Sequence, residues 1–435
     1  MSQARITNPS QLTRQWTLFL TLALIAGALL RLTFVHDMEY KEDEEYNFIQ
    51  TQLIGNSQPW PWYGIPSGVY IVNPGMSIWV FAVLAKLFGI HQPTDLAHAV
   101  QAFALLGICL IIPFALKFVA ESERRIWLWA YALALVNPFL ILYQRKLWPE
   151  PFLPFFTMIT IMGWWKKSSG WGCLVWGLVG ALLGQIHLSG FFFSAALFLW
   201  TVAWNRKNTR WSYWFVGSII GALPLIPWAI YIIQHPIAHA ITVGWNEILQ
   251  FKFWAFWITD PLGLHLGNPL GLLRGPSQWD QISDFVRYPI IAGVPTYFCG
   301  LAHLLILITA MWIFGRAFTG KRLRTELFNP KLSKTNFLQF SAFLGFGLLM
   351  TATGVVIRRY YMAVAFPLEF IFLIQFADPR TLGGKRALGL LWACQLFISM
   401  NFVGYIHVNN GSTQGDYGPA FHLNRSRDLK QAPHL

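Results

Sequence analysis

The chain has 435 residues, 55% of them hydrophobic and 12% charged, with a net charge of +13. A soluble domain carries about 25% charged residues, so a water-soluble fold of this length is excluded. The basic residues lie mostly in short loops between apolar runs, the distribution of a topology signal and not of a nucleic-acid-binding surface.

Arg5 and Arg14 precede an apolar stretch from Trp16 to Phe34. Ala26-Gly27-Ala28 resembles a signal-peptide cleavage site, but the apolar run continues past it, so the stretch reads as an uncleaved first helix. Apolar runs of about the length that crosses a bilayer core recur after it. Spans are predicted at about 16–35, 96–117, 126–143, 150–165, 171–187, 188–205, 211–233, 288–315, 337–357, 360–377 and 387–406. The expected architecture is an all-α polytopic membrane protein of about eleven transmembrane helices with outer juxtamembrane helices. Residues 1–406 form one transmembrane domain with long non-spanning segments at about 36–95 and 235–287, and 407–435 form a short polar tail. Cys109, Cys173, Cys299 and Cys394 fall in apolar runs without paired or metal-ligand spacing and read as buried thiols.

The segment Pro74 to Ile90 sets the orientation of everything after it. If it lies on the membrane as a juxtamembrane helix, 19 of the 32 Lys and Arg share the side of the N-terminus and 12 face the other side. If it spans, the split reverses to 13 and 18. The positive-inside rule selects the juxtamembrane reading. The N-terminus is then cytoplasmic, and both long segments and the tail face the periplasm or cell exterior.

Chemistry-bearing residues collect on that outer side. Six of the 19 acidic residues lie between Asp37 and Glu45, just beyond the first helix. The adjacent pair Asp43-Glu44 suits a general base with an orienting partner, because an acceptor hydroxyl needs a base beside it to attack an activated carbon. A solvated acidic loop is the competing account. Asn137-Pro138 opens a second outer stretch with Arg145 and then Glu150, held between two prolines at a helix entrance. His187 lies between two closely spaced spans on the same face. Arg358-Arg359-Tyr360-Tyr361 stands between the ninth and tenth spans, where paired arginines suit a lipid phosphate or snorkel to headgroups. Glu369 falls within the tenth span, and a carboxylate there needs a role or a partner, such as Arg31. The run Pro59 to Tyr63 suits a sugar-stacking wall or an interface anchor. There is no Walker loop, HExxH or CxxC, which removes support for nucleotide-driven transport and zinc hydrolysis.

Taken in order, these features resemble the GT-C glycosyltransferases, specifically the protein O-mannosyltransferase and aminoarabinose-transferase superfamily. Arg31 ends the first helix, and Asp43-Glu44 followed by Tyr46 opens the first outer loop. Asn73-Pro74 leads into an apolar helix ending Lys-Leu-Phe-Gly at 86–89, and Asn137-Pro138 leads to Arg145 and Glu150. Arg359-Tyr360-Tyr361 with Pro367, and Gly415-Asp416-Tyr417-Gly418 in the tail, complete the likeness. It is strongest over about 16–205 and weak over about 235–340.

The resemblance implies a GT-C fold in the cell envelope, a bacterial inner or plasma membrane, and inverting transfer from a dolichyl- or undecaprenyl-phosphate sugar. Asp43 is the implied general base, with Glu44 and Glu150 as the other acidic candidates. Tyr46, Arg145, His187, Arg358, Arg359 and Tyr360 are the candidate substrate-binding residues. Asn73 stands where many members carry a Lys, and Glu150 where Asp is commoner. Relatives differ in metal use, so a divalent cation on Asp43 and Glu150 is an open option, with no other cofactor expected. The expected partners are the lipid-linked sugar donor, membrane lipids and an acceptor that is a protein, a lipid or a polysaccharide, with no nucleic acid. A transporter or flippase coupled through Glu369 and His187, or a non-catalytic binder of a lipid-linked sugar, is the alternative.

Overall fold

The computed structural model describes residues 9–67, 71–236, 250–266, 280–319, 329–412 and 417–423. Gly415 and Asp416 of the tail, and much of the second long outer segment, lie outside the described residues. Helix α1 (Pro9–Leu32) runs into a 3-10 turn, Val35–Asp37, and then α2 (Glu42–Leu53), whose first turn is entirely acidic. An antiparallel hairpin of β1 (Tyr63–Pro66) and β2 (Val72–Pro74) hands the chain to α3 (Met76–Phe88). That helix has 13 residues, about 20 Å at 1.5 Å per residue, against a hydrocarbon core of about 30 Å. Its length therefore fits the juxtamembrane reading of Pro74 to Ile90.

Helices α4 (Pro93–Cys109) and α5 (Ile111–Lys117) run on as one apolar rod of 25 residues. Helix α6 (Glu121–Val136) meets α7 (Pro138–Gln144) at 56°, a break set by Pro138 and capped by Asn137 Oδ1, which accepts the Leu140 amide at 3.2 Å. The middle of the chain holds α8 (Leu153–Trp165), α9 (Gly170–Ile186), α10 (Ser189–Trp204), α11 (Trp211–Ala222) and α12 (Ile226–Gln234). Next come α13 (Lys252–Leu262), α14 (Asp280–Val286) and α15 (Phe298–Thr319). Helix α16 (Lys334–Phe340) passes through a π-helical stretch, Ser341–Phe346, into α17 (Gly347–Ala352). The 3-10 stretch Arg359–Ala365 meets α18 (Leu368–Ala377) at 80°, with Pro367 at the break, and α19 (Leu382–Asn409) follows.

Each predicted span holds helix over most of its length, but the one predicted over 288–315 becomes helical only at Phe298, after a short antiparallel pair of strands, Ile290–Ile291 and Val294–Pro295. Among the described residues six helices are long and apolar enough to cross a membrane, and up to eight if each bent pair counts as one span. Helices α8, α9 and α10 are shorter, with 13, 17 and 16 residues. A chain so rich in apolar helix, each satisfying its own backbone hydrogen bonds, is an integral membrane protein of the all-α polytopic class.

One close approach matters for the site. Helix α4 lies against the start of α8 at Gly107, where a Cβ would stand 2.6 Å from the Phe155 amide nitrogen. Only glycine lets the two backbones meet there, and the contact fixes the turn that carries Glu150.

Candidate functional site

A cavity of about 390 Å³ opens beside the first turn of α2. Its lining gathers Asp43, Asn73, Glu150, His187 and Tyr360, residues from five separate places in the chain. Asp43 is exposed towards the mouth. Partial burial nevertheless raises its carboxyl above the ordinary carboxylate range, with Lys41 opposing the shift. One turn further along α2, Asn47 Nδ2 donates to the carbonyl of Leu147 at 2.8 Å, clasping the helix onto the loop that leads to Glu150.

Glu150 is buried in a 3-10 turn, Glu150–Phe152, that precedes α8. His187 Nε2 lies 3.5 Å from Glu150 Oε1. On the other side of the ring, Nδ1 is 2.7 Å from Ser189 Oγ and 3.3 Å from the Ser189 amide nitrogen. An amide can only donate, so Nδ1 is the accepting nitrogen and Nε2–H faces the carboxyl. The rings of Tyr360 and Tyr361 pack edge-on or tilted against His187, at 6.3 and 5.4 Å between centroids. The carboxyls of Asp43 and Glu150 are near enough to feel each other's charge.

Among the described residues no Lys or Arg lines this cavity. Asn73 lines it as a neutral residue and donates from Nδ2 to the Ile65 carbonyl at 3.0 Å. Outside the lining, the charge of Lys146 reaches Asp43 and Glu150, and that of exposed Arg358 reaches the phenols of Tyr360 and Tyr361.

Several residues expected around the substrate sit elsewhere. Arg145 is buried and faces away from the cavity. Its guanidinium donates to the carbonyls of Leu30, Arg31, Thr33 and Phe34 at 2.7–3.2 Å, closing the C-terminal end of α1. Glu44 is buried behind the helix, where its Oε2 accepts the Lys41 amide at 3.2 Å in a capping box. Burial, with the charge of Glu39 adding to it, pushes the Glu44 carboxyl up to about 8. Tyr46 packs beside Ile54, Ile78 and Ala82, between α2 and α3. Arg359 is bound to Asp260 on α13 at 2.7 Å and lies over the Phe256 ring. Arg31 donates to Gln144 and to the carbonyls of Gly27, Ala134 and Leu135, so it is not the partner of Glu369.

Reading the sequence did not single out Ser189, Asn47 or Trp148, all of which line the cavity. Nor did it find the ion-paired group in which Glu39 binds both Lys41 and Lys146, with Lys146 stacked 4.1 Å over Trp148. Lys146 is next to Arg145 in the sequence, and that adjacency was the one cue available. Among the described residues no three His, Cys, Asp or Glu side chains converge in the way a metal ion requires. The donor set does not by itself fit a divalent cation, and no step is derived through one.

The fold and the site thus define a polytopic membrane protein with an acid-lined cavity at one end of its helix bundle. No protein-family model and no curated protein matches the sequence. Solved structures of similar chain path include ArnT from Cupriavidus metallidurans bound to undecaprenyl phosphate, at 13% identity and a TM-score of 0.49, covering 91% of this chain and 77% of that one. The Archaeoglobus fulgidus oligosaccharyltransferase in the apo form is similar at 13% identity and a TM-score of 0.43, covering 90% of this chain and 55% of that one.

Proposed function

We propose that this protein is a glycosyltransferase that moves a sugar from a polyprenyl-phosphate donor to a hydroxyl-bearing acceptor at the outer face of the membrane. The observation that carries the reading is the convergence of Asp43, Glu150 and His187 on one cavity, from segments more than a hundred residues apart in part. The order of motifs along the chain gives independent support.

The acceptor oxygen attacks the anomeric carbon while the carbon–oxygen bond to phosphate breaks on the opposite face. The bonding pair leaves with the phosphate, and the acceptor proton goes to the Asp43 carboxylate. The leaving group is a stable phosphate anion, so no general acid is required on its side. Burial raises Asp43 above the range of an exposed aspartate, which makes it a stronger base once ionised. Glu150 and His187 accept and donate to sugar hydroxyls and fix the ring. The phosphate stays at the mouth, beside exposed Arg358, because the described residues that line the interior include carboxyls and no Lys or Arg.

The test is sugar release from a mixture of polyprenyl-phosphate sugars by purified protein in detergent. Turnover of one donor, abolished in Asp43→Asn, supports the reading. Saturable donor binding without turnover, unchanged in Asp43→Asn and Glu150→Gln, would make the protein a binder or carrier of lipid-linked sugar.

A further inference from the structure

A second and larger cavity, of about 660 Å³, lies at the other end of the bundle. Helix α8 connects the two: Glu150, just before its start, lines the first cavity, and Trp165, at its end, lines the second. Its 13 residues separate them by about 20 Å. The catalytic reading makes no use of this space, and its volume falls within the roughly 300–1,000 Å³ of ligand pockets.

Among the described residues three cations reach it, Arg125, Lys334 and Arg380. The two carboxylates in the lining are already engaged. Glu123 Oε2 accepts the Thr335 hydroxyl at 2.7 Å, and Asp378 Oδ1 binds Arg380 Nε at 2.9 Å. Lys334 Nζ donates to the Trp165 carbonyl at 2.9 Å, which parks its charge at the wall. The guanidinium of half-buried Arg125 has no partner among the described residues.

The second observation lies deeper. Gln375 is 4% exposed and lines the cavity, and its Oε1 has no hydrogen-bond partner. The amide orientation is set by a chain of bonds. Asn336 Nδ2 donates to the Asn329 carbonyl at 3.1 Å, so Asn336 Oδ1 is left to accept Gln375 Nε2 at 2.8 Å. That leaves an acceptor, not a donor, unsatisfied in a buried place, which costs stability unless something fills it. The cavity therefore presents the Arg125 guanidinium and the Lys334 ammonium together with one buried, unfilled acceptor.

We propose that this cavity binds a phosphodiester headgroup whose free end carries a hydrogen-bond donor, a hydroxyl or an ammonium. The phosphate sits against Arg125 and Lys334, and the donor fills Gln375 Oε1. A choline headgroup supplies the phosphate but no donor and fits only half of the site. The chemistry is shared by glycerophospholipids of the surrounding bilayer and by small phosphoesters in solution.

The experiment reconstitutes the full chain in phosphatidylcholine nanodiscs doped with phosphatidylethanolamine or phosphatidylglycerol, and follows retained lipid by native mass spectrometry during delipidation. The expected result is selective retention of the donor-bearing lipids, weakened about tenfold by Arg125→Ala, the effect of losing one charge-assisted hydrogen bond. Gln375→Leu should bring those lipids down to the level of phosphatidylcholine. Soluble phosphoethanolamine displacing the lipid at equal affinity would support the site and assign it to a free ester. Retention that does not distinguish the donor-bearing lipids from phosphatidylcholine, or that is unchanged in Arg125→Ala, would overturn the proposal. Arg125 is only half-buried, so that variant tests the site even if Gln375→Leu fails to fold.

Discussion

Asp43→Asn is the most informative single change, because it keeps the size of the side chain and removes only its capacity to take a proton. A general base contributes about 10²–10⁴ in rate. Asp43 is exposed at the cavity mouth, so water can serve in its place, and the expected loss lies towards the lower end. A fall of about 10²–10³ in kcat corresponds to about 3–4 kcal/mol of transition-state stabilisation. Donor affinity should hold, since the phosphate lies against Arg358 and the sugar against Glu150 and His187. The assay is single-turnover transfer of a labelled sugar from polyprenyl phosphate, with donor binding measured separately. The pH profile adds a second readout. Only the carboxylate accepts a proton, so the wild-type rate rises with pH through the Asp43 pKa, which burial places above its ordinary value. The variant should lose that acid limb. Wild-type turnover in Asp43→Asn would refute the assignment, and parallel loss of binding and turnover would make Asp43 a substrate ligand and not the base.

Three further outcomes are expected. Arg358→Ala should raise KM for the donor about tenfold with kcat nearly unchanged, a modest effect because the side chain is exposed and screened; a fall in kcat alone would contradict it. Arg145→Ala should destabilise the fold by about 3 kcal/mol, since four carbonyls, two of them buried, lose their donor together. Lys should not rescue it, because an ammonium cannot reproduce the planar fork, and thermal unfolding in detergent decides between this and a substrate role. Glu44 has a folded-state pKa of about 8, above its ordinary 4.5, so the native state holds the proton more tightly than the unfolded chain. Its contribution is full below pH 4.5 and lost as pH rises through about 8. The melting temperature should therefore fall across that window in wild type and flatten in Glu44→Gln, which preserves the capping geometry.

How much of this was legible in the sequence depends on the physics behind each feature. Membrane class and the positions of the helices follow from long apolar runs, a signal summed over many residues. The short helix Met76–Phe88 was readable from its apolar run, and its 13 residues are few for a bilayer core. Asp43, Glu150 and His187 were found as polar residues sharing one face of the membrane, and the structure brings them to one cavity. Arg145 shows the limit. Sequence can place an arginine beside an acidic residue at the membrane surface, but not show that its guanidinium turns inward to four carbonyls across the bundle. Glu44 is similar: adjacent carboxylates on a helix point about 100° apart, so one faces the cavity and the other the protein. Ser189 and Asn47 carried no signal, because their roles depend on partners at Glu150, His187 and Leu147 that only folding supplies.

Glu369 and His187, the pair on which a transporter reading would depend, have different neighbours. His187 belongs to the cavity through Glu150 and Ser189. Glu369 instead feels Asp260, whose carboxylate holds Arg359 at 2.7 Å. This second group pins the 3-10 stretch Arg359–Ala365 against α13. A 3-10 helix turns by about 120° per residue, so anchoring Arg359 on the α13 side directs Tyr360 away from it, and Tyr360 lines the cavity. Asp260 thus acts on the site through backbone orientation. That role requires neither an alternating path nor a midplane binding site, and it explains why paired arginines at 358 and 359 diverge, one free at the mouth and one locked in the core.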